Sequence, residues 1–343
     1  MNIKRLKYLF TTLFIVIALC LYFIYNLLFS LSIRPKNLKA TIYVPEEASY
    51  LQVMDSIKAN LEIKNINALQ WLALRKNYPA LVKPGKYVID RSLSCNELIN
   101  ILRGGRQTPV KVTFSNIRTL NELAGRFGGQ IEADSAQIIG FFSDDENYIK
   151  DGFKHEDVIS VFIPDTYEFY WNTGAGKLYK RMLKEYRKFW NDERLQKSEA
   201  INLSQVEVST LASIIDEEAL KQDEMPRIAG VYINRLKRGI PLQADPTIKF
   251  ALNDFSITRI LYKHLEIDSP YNTYKHAGLP PGPIRCPSIE ALNAVLNAEK
   301  HDYLYFAAKS DFTGYHNFSR TLSEHNRYAN QYQRELNKRR IFR

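Results

Sequence analysis

Cysteine and histidine are scarce in this chain, and their scarcity excludes several classes of protein. The three cysteines, Cys20, Cys95 and Cys286, are too few and too far apart for a disulfide framework or a CxxC metal site. The six histidines form no HExxH motif, and no GxSxG nucleophile elbow occurs. Gly174–Lys177 lacks the leading glycine and the following Ser or Thr of a phosphate-binding loop. We therefore expect no metal site and no bound cofactor, and we exclude a serine hydrolase.

Acidic residues are fewer than basic ones, with 37 Asp and Glu against 47 Lys and Arg, which gives a net charge of +10. This balance favours a polyanionic partner, a membrane surface or an anionic polymer, and charge alone does not choose among them. The 343 residues, of which 45% are apolar, can form a packed core and about two globular units.

The N-terminus contains an uncharged apolar run, Leu9–Phe29, after a short tail at residues 1–8. Its length is enough to cross roughly 30 Å of hydrocarbon as a helix. Bulky residues continue to the end of the run, which favours a retained transmembrane anchor over a cleaved signal peptide. Basic residues are equally frequent on both sides of the run, so the charges leave its orientation open.

Residues 41–110 have the pattern of a small α+β module. Capping residues mark the starts of its helices. A turn marks the start of a strand at residues 86–89. The capping residues that predict its three helices are Ser49 with Gln52, Asn67, and Ser94 with Glu97. The module contains no constellation of catalytic residues, so we expect it to bind a ligand or to act as a spacer without one.

Residues 111–343 alternate helical and strand patterns and predict a larger mixed α+β domain. Ser204 and Glu207 form a capping box that opens a helix reaching Leu220 or Lys221. Pro226 begins another helix, and an irregular stretch is expected at residues 240–247. A helix at residues 289–299, strands near 303–307 and 316–318, and a final helix capped by Thr321 complete the domain. The aromatic segment at residues 161–171 is expected to be core.

Glu218 stands out on the helix that follows Ser204. With 100° per residue and Leu211 at zero, Glu218 lies at about 340°, close to the apolar stripe, while Asp216 and Glu217 lie on other faces. Apolar surroundings disfavour a carboxylate and raise its pKa, as a general acid requires. The alternative is that the helix rolls, so that Glu218 lies at the boundary in a salt bridge with Lys221 or an arginine.

The loops after this helix contain amide, hydroxyl and aromatic side chains among rigid prolines. Such a mixture is typical of a groove that binds saccharides by hydrogen bonds and stacking. The candidate substrate-binding residues are Gln243, Asp245, Asn272 and Tyr274.

Several motifs together resemble the membrane-anchored endolytic murein transglycosylases of the YceG-like family, over nearly the whole chain. They are Phe162–Tyr167, Leu211–Glu218, Asn234–Leu236, Leu242–Thr247, Tyr271–Tyr274 and Gly278–Pro283. The family helix usually reads Ala-Ser-Ile, an apolar residue, Glu, Lys, Glu, with the second Glu catalytic. That position falls on Glu218, while Asp216 replaces the first Glu and Glu217 replaces the Lys. Because Glu217 is also acidic, it remains the alternative catalytic position.

The resemblance implies a transmembrane helix at 9–29, a LysM-like module at 41–110 and a catalytic domain at 111–343 with the catalytic Glu on a helix. The implied activity is lytic cleavage of the MurNAc–GlcNAc β-1,4 bond within nascent glycan strands, giving 1,6-anhydroMurNAc ends and terminating strand elongation. The implied partners are peptidoglycan strands, the cytoplasmic membrane and peptidoglycan synthases, without nucleic acid. Residues from about 31 onward would then lie outside the cytoplasm, with residues 1–8 inside.

Two other functions stay open at this point. One is a muramidase that uses Asp245 as a second carboxylate, since ordinary glycosidases need two. The other is a wall-binding scaffold for synthases without catalytic activity. For the enzyme, we expect Glu218 to titrate above its ordinary pKa, with Asp216 and Glu217 adding a smaller upward shift through like charge.

Overall fold

The computed structural model describes residues 3–257 and 259–339, and it has a mixed α+β fold. The chain forms two compact units. The first contains residues 1–112, 130–133 and 168–174, and the second contains residues 113–129, 134–167 and 175–343. The α+β class expected from the sequence is confirmed.

The first unit begins with the long apolar helix and continues with short strands and helices. Its elements are α1 (Ile3–Phe29), β1 (Ile33–Pro35), β2 (Ala40–Val44), α2 (Tyr50–Asn60), β3 (Leu61–Ile63), α3 (Ile66–Arg75), β4 (Gly85–Ile89), α4 (Cys95–Arg103) and β5 (Val110–Thr113). Strand β2 pairs antiparallel with β4, with Ile42 opposite Tyr87, and β1 pairs antiparallel with β3. Helices α2 to α4 pack on these strands around one apolar core.

Within α1, the segment Lys7–Phe29 is long and apolar enough to cross a membrane, with a mean hydropathy of 2.4. Most of its side chains are exposed to the surroundings. Leu28, near its end, is buried in the core of the first unit.

Two of the three predicted caps of the first unit are confirmed, and one is wrong. Ser49 and Ser94 each accept a hydrogen bond from the backbone of the third helical residue, in complete capping boxes. The middle helix is capped by Asn65, whose side chain accepts from the backbone N–H of Ala68. Asn67 lies inside that helix. The buried side of α3 begins at Ala68, whereas the prediction counted it from Leu69.

The second unit is mainly helical. Its elements are α5 (Leu120–Gly128), α6 (Ser135–Phe142), β6 (Thr166–Phe169, the last two residues of which belong to the first unit), α7 (Ala175–Phe189), α8 (Asp192–Ala200), α9 (Gln205–Glu218), α10 (Met225–Lys237), α11 (Asp245–Leu252), α12 (Tyr262–Leu265), α13 (Ile289–Leu296), β7 (Tyr305–Ala308), β8 (His316–Ser319) and α14 (Leu322–Lys338). Strands β7 and β8 form an antiparallel hairpin.

Helix α9 lies in the middle of the second unit, where it packs against α10, α11 and α13. The capping box of Ser204 and Glu207 is present, as predicted. Leu211, Ile214 and Ile215 are fully buried. The helix ends at Glu218, two or three residues before the predicted end, and Ala219 has an extended backbone. Glu218, the acid on the apolar side of α9, is therefore the last residue of this helix.

Residues 240–247 were predicted to be irregular, and this prediction is wrong for the last three of them. Helix α11 begins there at Asp245, with Pro246 in its first turn, where a missing N–H costs no hydrogen bond. Helix α13 is also shorter than predicted, since it ends at Leu296. The core prediction for the aromatic segment is confirmed at Phe162, Tyr167 and Phe169, which are buried, and it is wrong at Tyr170, which is 57% exposed.

Candidate active site

A pocket of about 380 Å³ in the second unit contains most of the predicted site residues. It lies between the end of α9, one face of α10, the start of α11 and the β7–α14 region. Its lining residues are Glu218, Tyr232, Arg235, Leu242, Gln243, Asp245, Tyr274, Tyr305, Phe306, Leu322 and His325. The wall contains both aromatic rings and hydrogen-bonding side chains, a mixture that suits a ligand with apolar faces and hydroxyl groups.

A slightly larger cavity, of about 410 Å³, lies in the same unit beside Phe250 and Tyr271. Its walls are mostly apolar. Acid–base chemistry requires titratable groups whose pKa values are shifted toward the working pH. The pocket around Glu218 meets that requirement, and we therefore take it as the candidate active site.

The Glu218 carboxyl lies in the pocket wall, and the residue is partly exposed. The hydroxyl of Tyr232 donates a long hydrogen bond of 3.4 Å to its Oε1. Desolvation, together with the negative charge of Asp245, raises the pKa of Glu218 to about 7. The Tyr232 hydrogen bond and the charge of Lys249 act in the opposite direction but are weaker. A carboxyl group in this setting can hold a proton near neutral pH.

Glu217, the neighbouring acid, has very different surroundings. Its Oε1 lies 2.9 Å from Nη2 of Arg118 and 2.6 Å from Nη1 of Arg285. Arg285 also lies 3.5 Å from Asp216, and the Ser288 hydroxyl and backbone N–H both donate to the Asp216 carboxylate. We refer to Asp216, Glu217, Arg118 and Arg285 as the arginine cluster.

The sequence left open whether Glu218 forms a salt bridge with Lys221 or an arginine, and the structure answers this. Within residues 3–257 and 259–339, no lysine or arginine forms an ion pair with Glu218. Lys221 instead lies over the ring of Tyr315, at 5.5 Å. The boundary salt bridge that the sequence allowed for Glu218 is formed by Glu217. Asp245, from another helix, is the like charge that raises the pKa of Glu218 most, which the sequence did not predict. Glu217 adds a smaller upward shift, as predicted.

Asp245 and Tyr274 form one hydrogen-bonded pair in the pocket. The Tyr274 hydroxyl donates to Oδ1 of Asp245 at 2.5 Å. Burial and the neighbouring carboxylate raise the pKa of Tyr274 well above its ordinary value, so its hydroxyl stays protonated. Gln243 lies beside this pair with a left-handed backbone (φ 52°), and its side-chain oxygen accepts a hydrogen bond of 2.5 Å from Arg235.

Asn272 does not line the pocket, unlike the other three predicted binding residues. It is fully buried, and its side-chain amide donates to the carbonyls of Leu265 and Ile267, each at 2.9 Å. Its Oδ1 accepts a hydrogen bond from the backbone N–H of Tyr274. Asn272 therefore holds the loop that positions Tyr274, with its hydrogen-bonding groups already occupied.

Seven of the eleven pocket residues were not predicted as site residues, and three of these, Tyr232, Arg235 and His325, carry polar groups into the pocket. Tyr232 and Arg235 lie three residues apart on one face of α10, a spacing that could have indicated a shared function. Arg235 is 6% exposed and donates to the carbonyls of Pro241 and Leu304. His325 comes from α14, more than a hundred residues after Glu218, and its ring lies 5.4 Å from that of Tyr305. Burial and Arg235 lower the pKa of His325, which favours the neutral ring.

The described residues contain no group of three or more His, Cys, Asp or Glu side chains arranged to hold a metal ion.

A family model matches residues 42–331, and it is described as the YceG-like family. The chain belongs to the YceG-like family. The resemblance inferred from the motifs is thereby confirmed.

Individual YceG-like relatives agree with this assignment. An endolytic murein transglycosylase of Bacillus subtilis (strain 168) is 31% identical over 318 residues, which cover 87% of this chain and 86% of the relative. An endolytic murein transglycosylase of Streptococcus pneumoniae serotype 2 (strain D39) is 28% identical over 303 residues. The match covers 78% of this chain and 54% of that relative, so the chain spans about half the length of the pneumococcal protein.

The crystal structure of a YceG-like protein from Listeria monocytogenes has a similar fold. The two structures superimpose with a TM-score of 0.56 at 28% sequence identity. The similarity covers 84% of this chain and 98% of the Listeria chain.

Proposed function

We propose that this chain is an endolytic peptidoglycan lytic transglycosylase that cleaves the MurNAc–GlcNAc β-1,4 bond within nascent glycan strands and thereby terminates their elongation. The observation that carries the proposal is Glu218, a carboxyl group with a pKa of about 7 in a pocket with aromatic walls. The names of the Bacillus and Streptococcus relatives support the choice of substrate.

Glu218 would act first as the general acid. It donates its proton to the glycosidic oxygen, and the bond from that oxygen to C1 of MurNAc breaks. The C6 hydroxyl oxygen of the same MurNAc then attacks C1, and its proton passes to the Glu218 carboxylate. The product is a 1,6-anhydroMurNAc end, and the acid is regenerated without the use of water. One carboxyl group is sufficient because the substrate supplies the nucleophile.

Gln243, Asp245 and Tyr274 would orient the sugar and its N-acetyl groups beside Glu218. Asp245 also keeps the acid protonated to higher pH through its negative charge. Asn272 would act on the substrate only indirectly, because its amide groups are occupied by the loop.

A muramidase is the second candidate, and the presence of Asp245 in the same pocket as Glu218 favours it. A second carboxylate could activate water or attack C1, as in ordinary glycosidases. Tyr274 already donates to Oδ1 of Asp245, so that oxygen is occupied by a hydrogen bond within the protein. Mass analysis separates the two reactions, because the anhydro product is lighter than the hydrolysis product by one water.

A wall-binding scaffold without activity is less well supported. Partial desolvation of an acid beside a second carboxylate costs free energy, and a scaffold gains nothing from that cost. Isolated cell walls that bind the protein without the release of any soluble product would favour the scaffold.

The proposal includes the arrangement of the chain at the membrane. Helix α1 would anchor the protein in the cytoplasmic membrane with residues 1–8 inside, and residues from about 31 onward would lie outside, where peptidoglycan is found. The segment from β2 to β4, with two helices between two paired strands, supports a LysM-like module at residues 41–110. Peptidoglycan synthases would be the protein partners, and nucleic acid would not be bound.

The test is incubation of the full-length protein in detergent with nascent, uncrosslinked glycan strands, followed by mass spectrometry of the new ends. We expect anhydro ends from the unaltered protein and at least about a hundredfold fewer from Glu218→Gln. Glu290→Gln is the matched control, because it makes the same change at an exposed position on α13 of the same unit. Ends heavier by one water would establish the muramidase, and activity retained by Glu218→Gln would refute the assignment of the acid.

A further inference from the structure

The membrane helix joins the first unit without a free linker. Leu28 is 8% exposed and belongs to the same apolar core as Leu69 and Leu72 of α3. The candidate span continues to Phe29, one residue beyond this buried contact. If α1 crosses a bilayer, the elements that pack around its last turn must therefore lie at the bilayer surface.

Helix α3 is one of those elements. It packs against α1, and the Lys64 backbone N–H, two residues before α3, donates a 3.0 Å hydrogen bond to the carbonyl of Ser32. The start of α3 is thus held beside the point where the chain leaves the span.

The side of α3 that faces away from the core is apolar at two positions. Trp71 is 48% exposed and Leu74 is 62% exposed, although both are large apolar side chains. The guanidinium of Arg75 lies over the Trp71 ring at 5.4 Å. We call Trp71, Leu74 and Arg75 the outer face of α3.

We propose that the outer face of α3 rests on the surface of the bilayer that α1 spans, with Trp71 at the level of the lipid headgroups. The inference depends on α1 crossing the membrane and is independent of the catalytic proposal. Tryptophan prefers the interface because its ring is apolar and its N–H can still meet polar groups. Leu74 gains from leaving water, and Arg75 with the exposed Lys64 matches the negative charge of acidic phospholipids.

Two other occupants are conceivable for such a face, a second copy of the chain and a glycan strand. The bilayer is favoured by continuity, since α3 packs directly on the end of the membrane helix. It is also favoured by charge, because a second copy would bring another Arg75 and Lys64 to the same surface.

Quenching of tryptophan fluorescence by brominated lipids tests the proposal on the full-length chain. The chain has three tryptophans, Trp71, Trp171 and Trp190, and α1 contains none of them. The protein is reconstituted in vesicles of phosphatidylcholine and phosphatidylglycerol that carry bromine either near the headgroup or deep in the acyl chains. We expect quenching mainly by the shallow bromines, and we expect Trp71→Phe to abolish it while Trp171→Phe leaves it unchanged.

A paired set of leucine variants separates docking from folding. Leu74→Glu places a charge on the outer face of α3 and should abolish the quenching of Trp71. Leu51→Glu makes the same change at a leucine of α2 that is 70% exposed, and it should leave the quenching intact. Circular dichroism of both variants checks that the unit remains folded.

Two outcomes would overturn the inference. In one, Trp71 is not quenched by any brominated lipid and is readily quenched by acrylamide from the water. In the other, Trp71 is protected from both quenchers in a way that depends on protein concentration, which would assign the face to a second copy.

Discussion

Two neighbouring glutamates at the end of α9, Glu217 and Glu218, have opposite electrostatic surroundings. In the arginine cluster, Glu217 is paired at 2.6 and 2.9 Å with two guanidinium groups. In the pocket, Glu218 has a tyrosine hydroxyl as its hydrogen-bond donor and Asp245 as a nearby like charge. The first setting pairs the acid with two cations, whereas the second raises the pKa of the acid through desolvation and a like charge. Environment rather than residue type therefore distinguishes a structural acid from a candidate catalytic one.

The strongest way to break this comparison is to neutralise each acid in turn. Glu218→Gln should lower kcat/KM by about 10²- to 10⁴-fold, the usual contribution of a general acid. Glu217→Gln should cost no more than about tenfold, because it changes only a charge beside the acid. The rate of formation of anhydro ends measures both variants. Equal losses would mean that the two sites are not chemically distinct.

The second largest effect should come from the arginine that holds the cluster together. Arg285→Met leaves Asp216 and Glu217 partly unpaired in a site where the Arg285 side chain is only 9% exposed. Breaking a buried pair in this way costs about 3–5 kcal/mol in free energy of unfolding. Urea denaturation measures the loss. Arg227→Met, which breaks a half-exposed pair with Glu299, is the control and should cost about 1 kcal/mol or less.

The third effect is a shift in the pH at which kcat/KM falls, and we expect it to be smaller than the two losses above. The acid must be protonated in the free enzyme, so activity should be present below the pKa of Glu218 and should fall as pH rises through about 7. Asp245→Asn removes a like charge and should move this limb to lower pH. Tyr232→Phe removes a hydrogen bond to the carboxylate and should move the limb to higher pH. A basic limb near the pKa of an exposed glutamate, or shifts of the same sign in the two variants, would show that desolvation and Asp245 do not raise the pKa of Glu218.

The smallest effect is expected at Asp216. Its charge is already balanced by Arg285 and by two hydrogen bonds from Ser288, and it is not among the groups that shift Glu218. Asp216→Asn should therefore leave the position of the basic limb unchanged, whatever it does to stability. A shift as large as that of Asp245→Asn would show that the arginine cluster does not screen the pocket.

The local parts of the fold were accessible from the sequence. Capping boxes at Ser49, Ser94 and Ser204 and the apolar stripe of α9 involve residues only a few positions apart, and the structure agrees with them. Errors occurred where local signals compete. Asn65 and Asn67 are equally good caps in isolation, and only the packing of α3 selects the first. The prolines at residues 240–247 predicted a turn, although Pro246 lies in the first turn of α11.

The candidate site was only partly accessible. Gln243, Asp245 and Tyr274 were predicted from their chemistry, and they line the pocket with Glu218. Asn272 has the same chemistry, yet its side chain is committed to the backbone of its own loop. Arg235 and His325 join the pocket from distant parts of the chain, and the sequence alone gave no reason to place them together.

The sequence by itself determined that α9 forms, that Glu218 lies on its apolar side and that the chain resembles the YceG-like family, because these depend on periodicity and on short motifs. Only the tertiary structure decided which acid meets the arginines. Arg118 and Arg285 are far from Glu217 along the chain, and their distances to it depend on how the loops close around α9. Charge interactions weaken with distance and desolvation depends on packing, so the pKa of Glu218 is a property of the assembled fold.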